Sequence, residues 1–154
     1  MRPLLLVFAV LAAACGTSSA DDGAASDDVP TVTDSGVLQA GIGDVVRYGD
    51  SPQQFGSLQL PARASEGPLP VIAFIHGGFW RNTNDSSLSE PQAADARSKG
   101  YATWNIEYRR VGHEGGGYPG TLDDIATAID ALARIDAPLD LDRVFVVGHS
   151  AGGH

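Results

Sequence analysis

Ser150 is the residue with the clearest chemical potential in this sequence of 154 residues. It stands in the segment Gly148–Gly152, whose sequence GHSAG has the form G-x-S-x-G, directly after the apolar run 143–147. That run is short, rich in β-branched residues and does not alternate, so it predicts a buried parallel strand. Glycines on both sides permit a sharp strand-to-helix turn that exposes the serine hydroxyl as a nucleophile. The alternative is a glycine-rich turn that contains a serine by chance, and the pentapeptide alone does not exclude it.

A second glycine-rich segment follows another predicted buried strand. The apolar run Val71–Ile75 is followed at once by His76–Trp80, with the sequence HGGFW. Carboxyl ends of parallel strands meet at one edge of a sheet, so this loop is predicted to lie beside Ser150. A plain Gly-Gly turn, with Trp80 as a packing residue, is the alternative.

Backbone amides in these two segments could stabilise negative charge. A loop with small side chains lets its N–H groups reach an oxyanion, and a helix that begins after the serine adds its N-terminal dipole. We therefore predict that the amides of Gly78, Phe79 and Ala151 form an oxyanion hole.

These segments belong to a longer ordered series, which resembles the α/β-hydrolase superfamily on its esterase and hormone-sensitive-lipase side. The aromatic pair after His-Gly-Gly is similar to the kynurenine-formamidase and feruloyl-esterase-like branch. The resemblance covers about residues 45–154, the N-terminal half of such a domain. The segments that carry it are His76–Trp80, Glu107–Arg110, Tyr118–Pro119, Asp123–Asp124 and Gly148–Gly153.

The resemblance implies that Ser150 forms an acyl-enzyme with a small-molecule ester or amide, without a cofactor. It implies that Tyr108, Arg109 and Asp124 brace the loops around the site. The residues that complete the two motifs are His76, Gly77, Trp80, Gly148 and Gly152.

The acid and the histidine of a catalytic triad have no matching position in this chain. A serine hydroxyl needs a base within hydrogen-bond reach, and four histidines are present. Of these, His113 with the adjacent Glu114 is a weak substitute candidate, and a solvated loop histidine is the stronger interpretation. We therefore expect the N-terminal part of a serine hydrolase, inactive by itself. A non-catalytic surface lipoprotein or a degenerate hydrolase remnant is the alternative.

The first 43 residues predict export. Residues 1–15 form a signal peptide whose eleven-residue apolar stretch is too short to span a bilayer, and they end in a lipobox-like Cys15. Residues 16–43 are predicted to form a disordered acidic linker of Ser, Ala and Asp. We expect a cell-envelope lipoprotein anchored through Cys15, or a secreted protein if cleavage occurs without lipidation. The single cysteine excludes an intramolecular disulfide, and no metal site is expected. Much of the net charge of −9 lies in the linker, and no basic patch predicts nucleic-acid binding.

Residues 44–154 predict an α/β fold with a mostly parallel sheet flanked by helices, truncated after the turn at Ser150. The strand at 143–147 should therefore lie at an exposed edge. In the second helix, an apolar face of Leu122, Ile125, Ala126, Ile129 and Leu132 is expected to pack on the sheet. The predicted strands span 44–48, 56–60, 71–75, 101–108 and 143–147, and the predicted helices span 86–98 and 121–134.

Overall fold

The computed structural model describes residues 38–39, 44–62 and 67–154. The predicted signal peptide, the lipobox-like Cys15 and nearly all of the acidic linker lie outside the described residues. Within the described ranges, no helix combines the length and apolarity needed to cross a membrane.

A five-stranded mixed sheet forms the centre of the domain. Its strands are β2 (Asp44–Arg47), β3 (Phe55–Gln59), β4 (Leu69–Ile75), β5 (Ala102–Ile106) and β7 (Leu139–Gly148), and a separate parallel pair joins β1 (Leu38–Gln39) to β6 (Ile135–Asp136). The strand order is β2-β3-β5-β4-β7. The first two pairings are antiparallel and the last two are parallel, so the parallel half contains both glycine-rich segments. The strands predicted at 44–48 and 56–60 correspond to β2 and β3, which form an antiparallel pair.

Both predicted helices are present, and each includes a 3-10 segment at one end. Helix α1 (Glu90–Ser98) follows the 3-10 turn Ser86–Ser89, which Asp85 caps by accepting from the Ser87 amide at 2.9 Å. Helix α2 (Gly120–Ala131) continues into the 3-10 turn Leu132–Arg134. A proline in the first turn of α1 fits the start of the regular helix, because its missing N–H has no helical partner there.

The helices cover opposite faces of the sheet, and alternate residues of β4 supply the two cores. Phe74 packs with small residues of α1, whereas Val71 and Ala73 join the larger core under α2. The central residue of that larger core is Trp104, whose Nε1 donates to the Ala128 carbonyl at 2.9 Å. Both helices therefore pack against the parallel strands that carry the candidate site.

The predicted apolar face of α2 is partly wrong. The face turned to the sheet is formed by Thr121, Asp124, Ala128 and Ala131, while Leu122 is 54% exposed. Polar residues face inward because the backbone and side chain of the preceding loop offer them partners. Ile125 and Ile129 pack only partly against the core, and Leu132 is buried in the following 3-10 turn.

Strand β7 lies at one edge of the sheet, as predicted. Among the described residues it pairs with β4 alone, and residues 144–147 are half-buried rather than buried. The strand is parallel to β4, so its carboxyl end delivers the serine turn to the same edge as the His-Gly-Gly loop.

Candidate active site

The two glycine-rich segments leave the sheet side by side. Ile75, the last residue of β4, lies in register with Gly148, the last residue of β7. The His149 amide then donates to the Ile75 carbonyl at 3.1 Å, which extends the pairing one residue into the turn. The sequence prediction that these loops are neighbours is confirmed.

Ser150 occupies a left-handed turn between β7 and a 3-10 segment, Ser150–Gly153. Its φ angle is +52° and its side chain is exposed. A Cβ at Gly148 would overlap the Gly152 carbonyl, and a Cβ at Gly152 would overlap the carbonyl of Ile75. These collisions are with the following turn and with the neighbouring strand. The two glycines therefore permit the turn that projects the hydroxyl outward.

The loop after β4 is also strongly bent. Gly78 has a φ angle of 116°, and Phe79 and Trp80 have φ angles of 54° and 55°, a positive region that bulky residues rarely occupy. The Arg81 amide closes the turn by donating to the Gly78 carbonyl at 3.0 Å. The Phe79 side chain is 81% exposed, so packing does not offset its backbone cost.

Gly77 brings the loop into contact with the serine turn. A Cβ at this position would lie 2.8 Å from the His149 carbonyl oxygen and 3.1 Å from the Ser150 Cβ. Over residues 67–154, all of which the structure describes, no hydrogen bond is found from the amides of Gly78, Phe79 or Ala151. These three predicted donors are thus on the two segments that Gly77 holds together.

A buried polar cluster lies beneath the loop. His76 is fully buried, with its Nδ1 at 2.7 Å from the Gly77 carbonyl oxygen and its Nε2 at 2.8 Å from the Arg110 guanidinium. The Tyr108 ring stacks on the imidazole at 4.4 Å, and its hydroxyl donates to the His76 carbonyl at 2.6 Å. Burial raises the pKa of Tyr108 to about 12, so this hydroxyl remains a donor at neutral pH.

Glu107 completes the cluster and balances its charge. Its carboxylate forms a buried ion pair with Arg110 and accepts from the Ser86 amide at 2.7 Å. The Glu107 carbonyl accepts from the Tyr48 hydroxyl at 2.7 Å. Both Glu107 and Arg110 belong to the segment that carried the family resemblance, but sequence reasoning gave neither a role. Only their charge, next to a predicted buried strand, signalled that each needs a partner.

A second ion pair fixes the loop after β5 to α2. Arg109 binds Asp124 through Nε at 2.9 Å and Nη2 at 2.7 Å, and its backbone amide adds a 2.9 Å bond. Gln54 donates to the same carboxylate at 2.7 Å. Burial raises the pKa of Asp124, but the hydrogen bonds from Arg109 and Gln54 outweigh it and hold the pKa below its ordinary value. The contacts agree with the bracing implied for Tyr108, Arg109 and Asp124.

The remaining histidines do not form a triad with Ser150. His113 uses its Nδ1 to accept from the Arg110 amide at 3.1 Å, so this nitrogen stabilises its own loop. Its pKa is lowered by burial and by the nearby Arg110 charge. His154 makes an edge contact with the Trp80 ring at 5.3 Å. In the described part of the chain, no cluster of three or more His, Cys, Asp or Glu side chains is arranged to hold a metal.

A cavity of about 770 Å³ opens beside the serine turn. Apolar and aromatic side chains from α2, from the loop after β5 and from the loop after β4 form most of its wall. Ala151 and Gly152 form the part next to Ser150. Such a volume accommodates a small molecule. The lining side chains include Trp80, Tyr108, Val111, Tyr118, Leu122 and Ile125.

Proteins that are similar to this chain in sequence and proteins that are similar to it in structure both include esterases. Esterase LipC of Mycobacterium tuberculosis is 30% identical over 112 residues, which are 71% of this chain and 27% of that protein. A kynurenine formamidase of Meyerozyma guilliermondii is 29% identical over 111 residues, 70% of this chain and 39% of that protein. The crystal structure of an inhibited esterase B from Lactobacillus rhamnosis superposes with a TM-score of 0.62 at 33% identity, covering 70% of this chain and 35% of that one.

The chain thus spans well under half the length of these relatives. A family model described as BD-FAE matches residues 57–154, more than half of the chain, and includes both glycine-rich segments. The mixed sheet, the flanking helices and these matches agree, and the chain belongs to the BD-FAE family of the α/β-hydrolase superfamily.

Proposed function

We propose that the protein hydrolyses carboxylic esters or related acyl bonds of small molecules, with Ser150 as the nucleophile. The observation that carries this proposal is the packing of Gly77 against His149 and Ser150. It holds a strained, exposed serine against the loop that contains two of the three predicted oxyanion donors. The relatives named esterases support the same class of reaction.

In the proposed reaction, the Ser150 Oγ bonds to the substrate carbonyl carbon while a general base takes the hydroxyl proton. The amides of Gly78, Phe79 and Ala151 donate to the resulting oxyanion. The bond between the carbonyl carbon and the ester oxygen or amide nitrogen then breaks as the oxyanion returns to a carbonyl. The leaving group takes up the proton held by the general base. Water attacks the acyl-enzyme, releases the carboxylic acid and restores Ser150.

The general base and the acid that orients it come, in this proposal, from residues that follow position 154. The relatives are more than twice as long as the matched segment, which leaves ample chain for both groups. We do not assign the general base to His113 or His154, because each already has another contact. His113 accepts from the Arg110 amide, and His154 contacts the Trp80 ring.

We further infer that the protein is exported and held at the cell envelope through lipid-modified Cys15, with residues 16–43 as a tether. A Cys15→Ser variant should move from the membrane fraction to the soluble exported fraction. An unchanged distribution contradicts the lipid anchor and leaves the enzymatic proposal intact.

Covalent labelling tests the nucleophile directly. The full-length protein, with all residues that its gene encodes, is treated with a fluorophosphonate and digested for mass spectrometry. We expect one modified peptide containing Ser150 and none in Ser150→Ala. The matched control is Ser87→Ala, an exposed serine on the turn before α1. A folded wild-type protein that is not labelled refutes the proposal and favours a non-catalytic surface protein. Labelling that persists in Ser150→Ala refutes Ser150 as the nucleophile.

A further inference from the structure

The contacts around His76 determine which of its nitrogens carries the proton. The Arg110 guanidinium lies 2.8 Å from Nε2 and has only donors to offer, so Nε2 must present its lone pair. The proton of the neutral ring is then on Nδ1, which lies 2.7 Å from the Gly77 carbonyl oxygen and donates to it. The Glu107 carboxylate approaches Nε2 only to 3.8 Å, which is beyond hydrogen-bond distance.

This tautomer has a geometric consequence for the next peptide. The Gly77 carbonyl and the Gly78 N–H belong to one planar trans unit and point in opposite directions. Anchoring the carbonyl to the buried imidazole therefore turns the Gly78 N–H away from the core. Gly78 lacks a side chain and has a φ angle of 116°, so its backbone could otherwise take many orientations. The Nδ1–H bond removes this freedom.

We propose that Arg110 is a positioning residue that holds His76 in its Nδ1–H tautomer and thereby aims the Gly78 amide at the oxyanion. This inference rests on the proposed function for its catalytic consequence, but not for the tautomer. Arg110 is 2% exposed and is oriented by its ion pair with Glu107. Tyr108 holds the other side of the arrangement, since its ring stacks on the imidazole and its hydroxyl binds the His76 carbonyl.

Loss of Arg110 would reverse the proton arrangement. Without a donor facing Nε2, that nitrogen is free to take a proton and to donate to the Glu107 carboxylate nearby. A neutral ring would then turn the Nδ1 lone pair toward the Gly77 carbonyl oxygen. Two acceptors repel at this distance, and the Gly77–Gly78 peptide would rotate.

Nitrogen NMR of the imidazole tests the tautomer without any enzymatic assay. In wild-type protein with a neutral imidazole we expect a protonated Nδ1 and an unprotonated Nε2 for His76, as its two contacts require. Arg110→Met should move the proton to Nε2, whereas Arg110→Lys, which keeps a donor, should resemble wild type. The matched control is Arg109→Met, which breaks the neighbouring ion pair with Asp124 but should leave the His76 signals unchanged. A protonated Nε2 in wild type, or an unchanged neutral Nδ1–H tautomer in Arg110→Met, overturns the proposal.

Fluorophosphonate labelling of the full-length variants tests the catalytic consequence. We expect Arg110→Met to label Ser150 about tenfold or more slowly, with partial rescue in Arg110→Lys. An unchanged labelling rate, in a variant whose tautomer has changed, overturns the aiming role. If wild-type Ser150 does not react at all, the proposed function fails, and the NMR result still decides the tautomer independently.

Discussion

Gly152 lies directly beside the carbonyl oxygen of Ile75, the last residue of β4. A Cβ at position 152 would overlap that oxygen and lie 2.6 Å from the carbonyl oxygen of His76. The turn at Ser150 therefore packs against the start of the His-Gly-Gly loop, and no space remains for a methyl group at position 152.

Gly152→Ala should destabilise the protein by about 1–3 kcal/mol, because rigid backbone and not a flexible side chain must move. The midpoint of urea denaturation measures the loss. Gly153→Ala is the matched control, since its Cβ would meet the Gly148 carbonyl oxygen at a tight but tolerable 3.1 Å. Equal stability of the two variants would contradict the close seating of the turn.

Replacement of Phe79 should show the backbone cost of its left-handed conformation. Phe79→Ala keeps a Cβ and therefore keeps the unfavourable free energy of the left-handed backbone conformation, whereas Phe79→Gly removes it. We expect the glycine variant to be more stable than the alanine variant by about 1 kcal/mol, the reverse of the usual order. Thermal denaturation of the pair compares them directly, and a more stable alanine variant would show that Phe79 is not strained.

Asp124 should be among the most sensitive carboxylates for stability. Asp124→Asn removes the charge that faces Arg109 in a site where the side chain is 1% exposed. We expect a loss of about 3 kcal/mol in the free energy of unfolding. Asp123→Asn, on the exposed side of the same helix, should cost less than about 1 kcal/mol. Similar losses in both variants would mean that the buried ion pair contributes nothing specific.

Acid should remove the contribution of the Asp124 carboxylate to the free energy of unfolding. Its pKa in the folded protein is below the ordinary value, so the unfolded chain binds more protons as the pH falls. The contribution is complete above the ordinary aspartate pKa of about 4 and is lost as the pH falls through the lower folded pKa. The stability difference between wild type and Asp124→Asn should therefore shrink in this window. A constant difference down to about pH 2 would contradict the pKa direction.

His113 should make stability fall in a milder pH range. Its folded pKa lies below the ordinary value, which is about 6.5. The unfolded chain therefore binds more protons there, and stability decreases as the pH falls through the folded pKa. His113→Asn keeps an acceptor for the Arg110 amide but does not titrate. We expect its unfolding free energy to be flatter than that of wild type between about pH 5 and pH 7. Parallel curves would show that His113 is not linked to folding.

Local patterns were sufficient to predict the strands that carry the site. The continuous apolar runs before His76 and before Gly148 are short and β-branched, and such runs have few alternatives beside glycine-rich turns. The sharp turn predicted at Ser150 agrees with the structure, which has no space for a Cβ at Gly148 or Gly152.

Contacts between distant segments could not be predicted in the same way. The inward face of α2 depends on partners that Thr121 and Asp124 find on Arg109, in the loop before the helix. The role of Arg110 depends on β4 and β5 being adjacent, which places its guanidinium on the buried imidazole of His76. Periodicity shows which residues are apolar but not which polar residues meet.

The pairing of Ile75 with Gly148 also determines when the turn at Ser150 can first form. These residues are far apart in the chain, and joining them requires closure of a long loop that includes α1, β5 and α2. Until that closure is complete, the Ile75 carbonyl does not lie beside Gly152, and no contact with β4 stabilises the left-handed conformation of the turn. During synthesis, the left-handed turn at Ser150 can therefore form only after the intervening chain has folded.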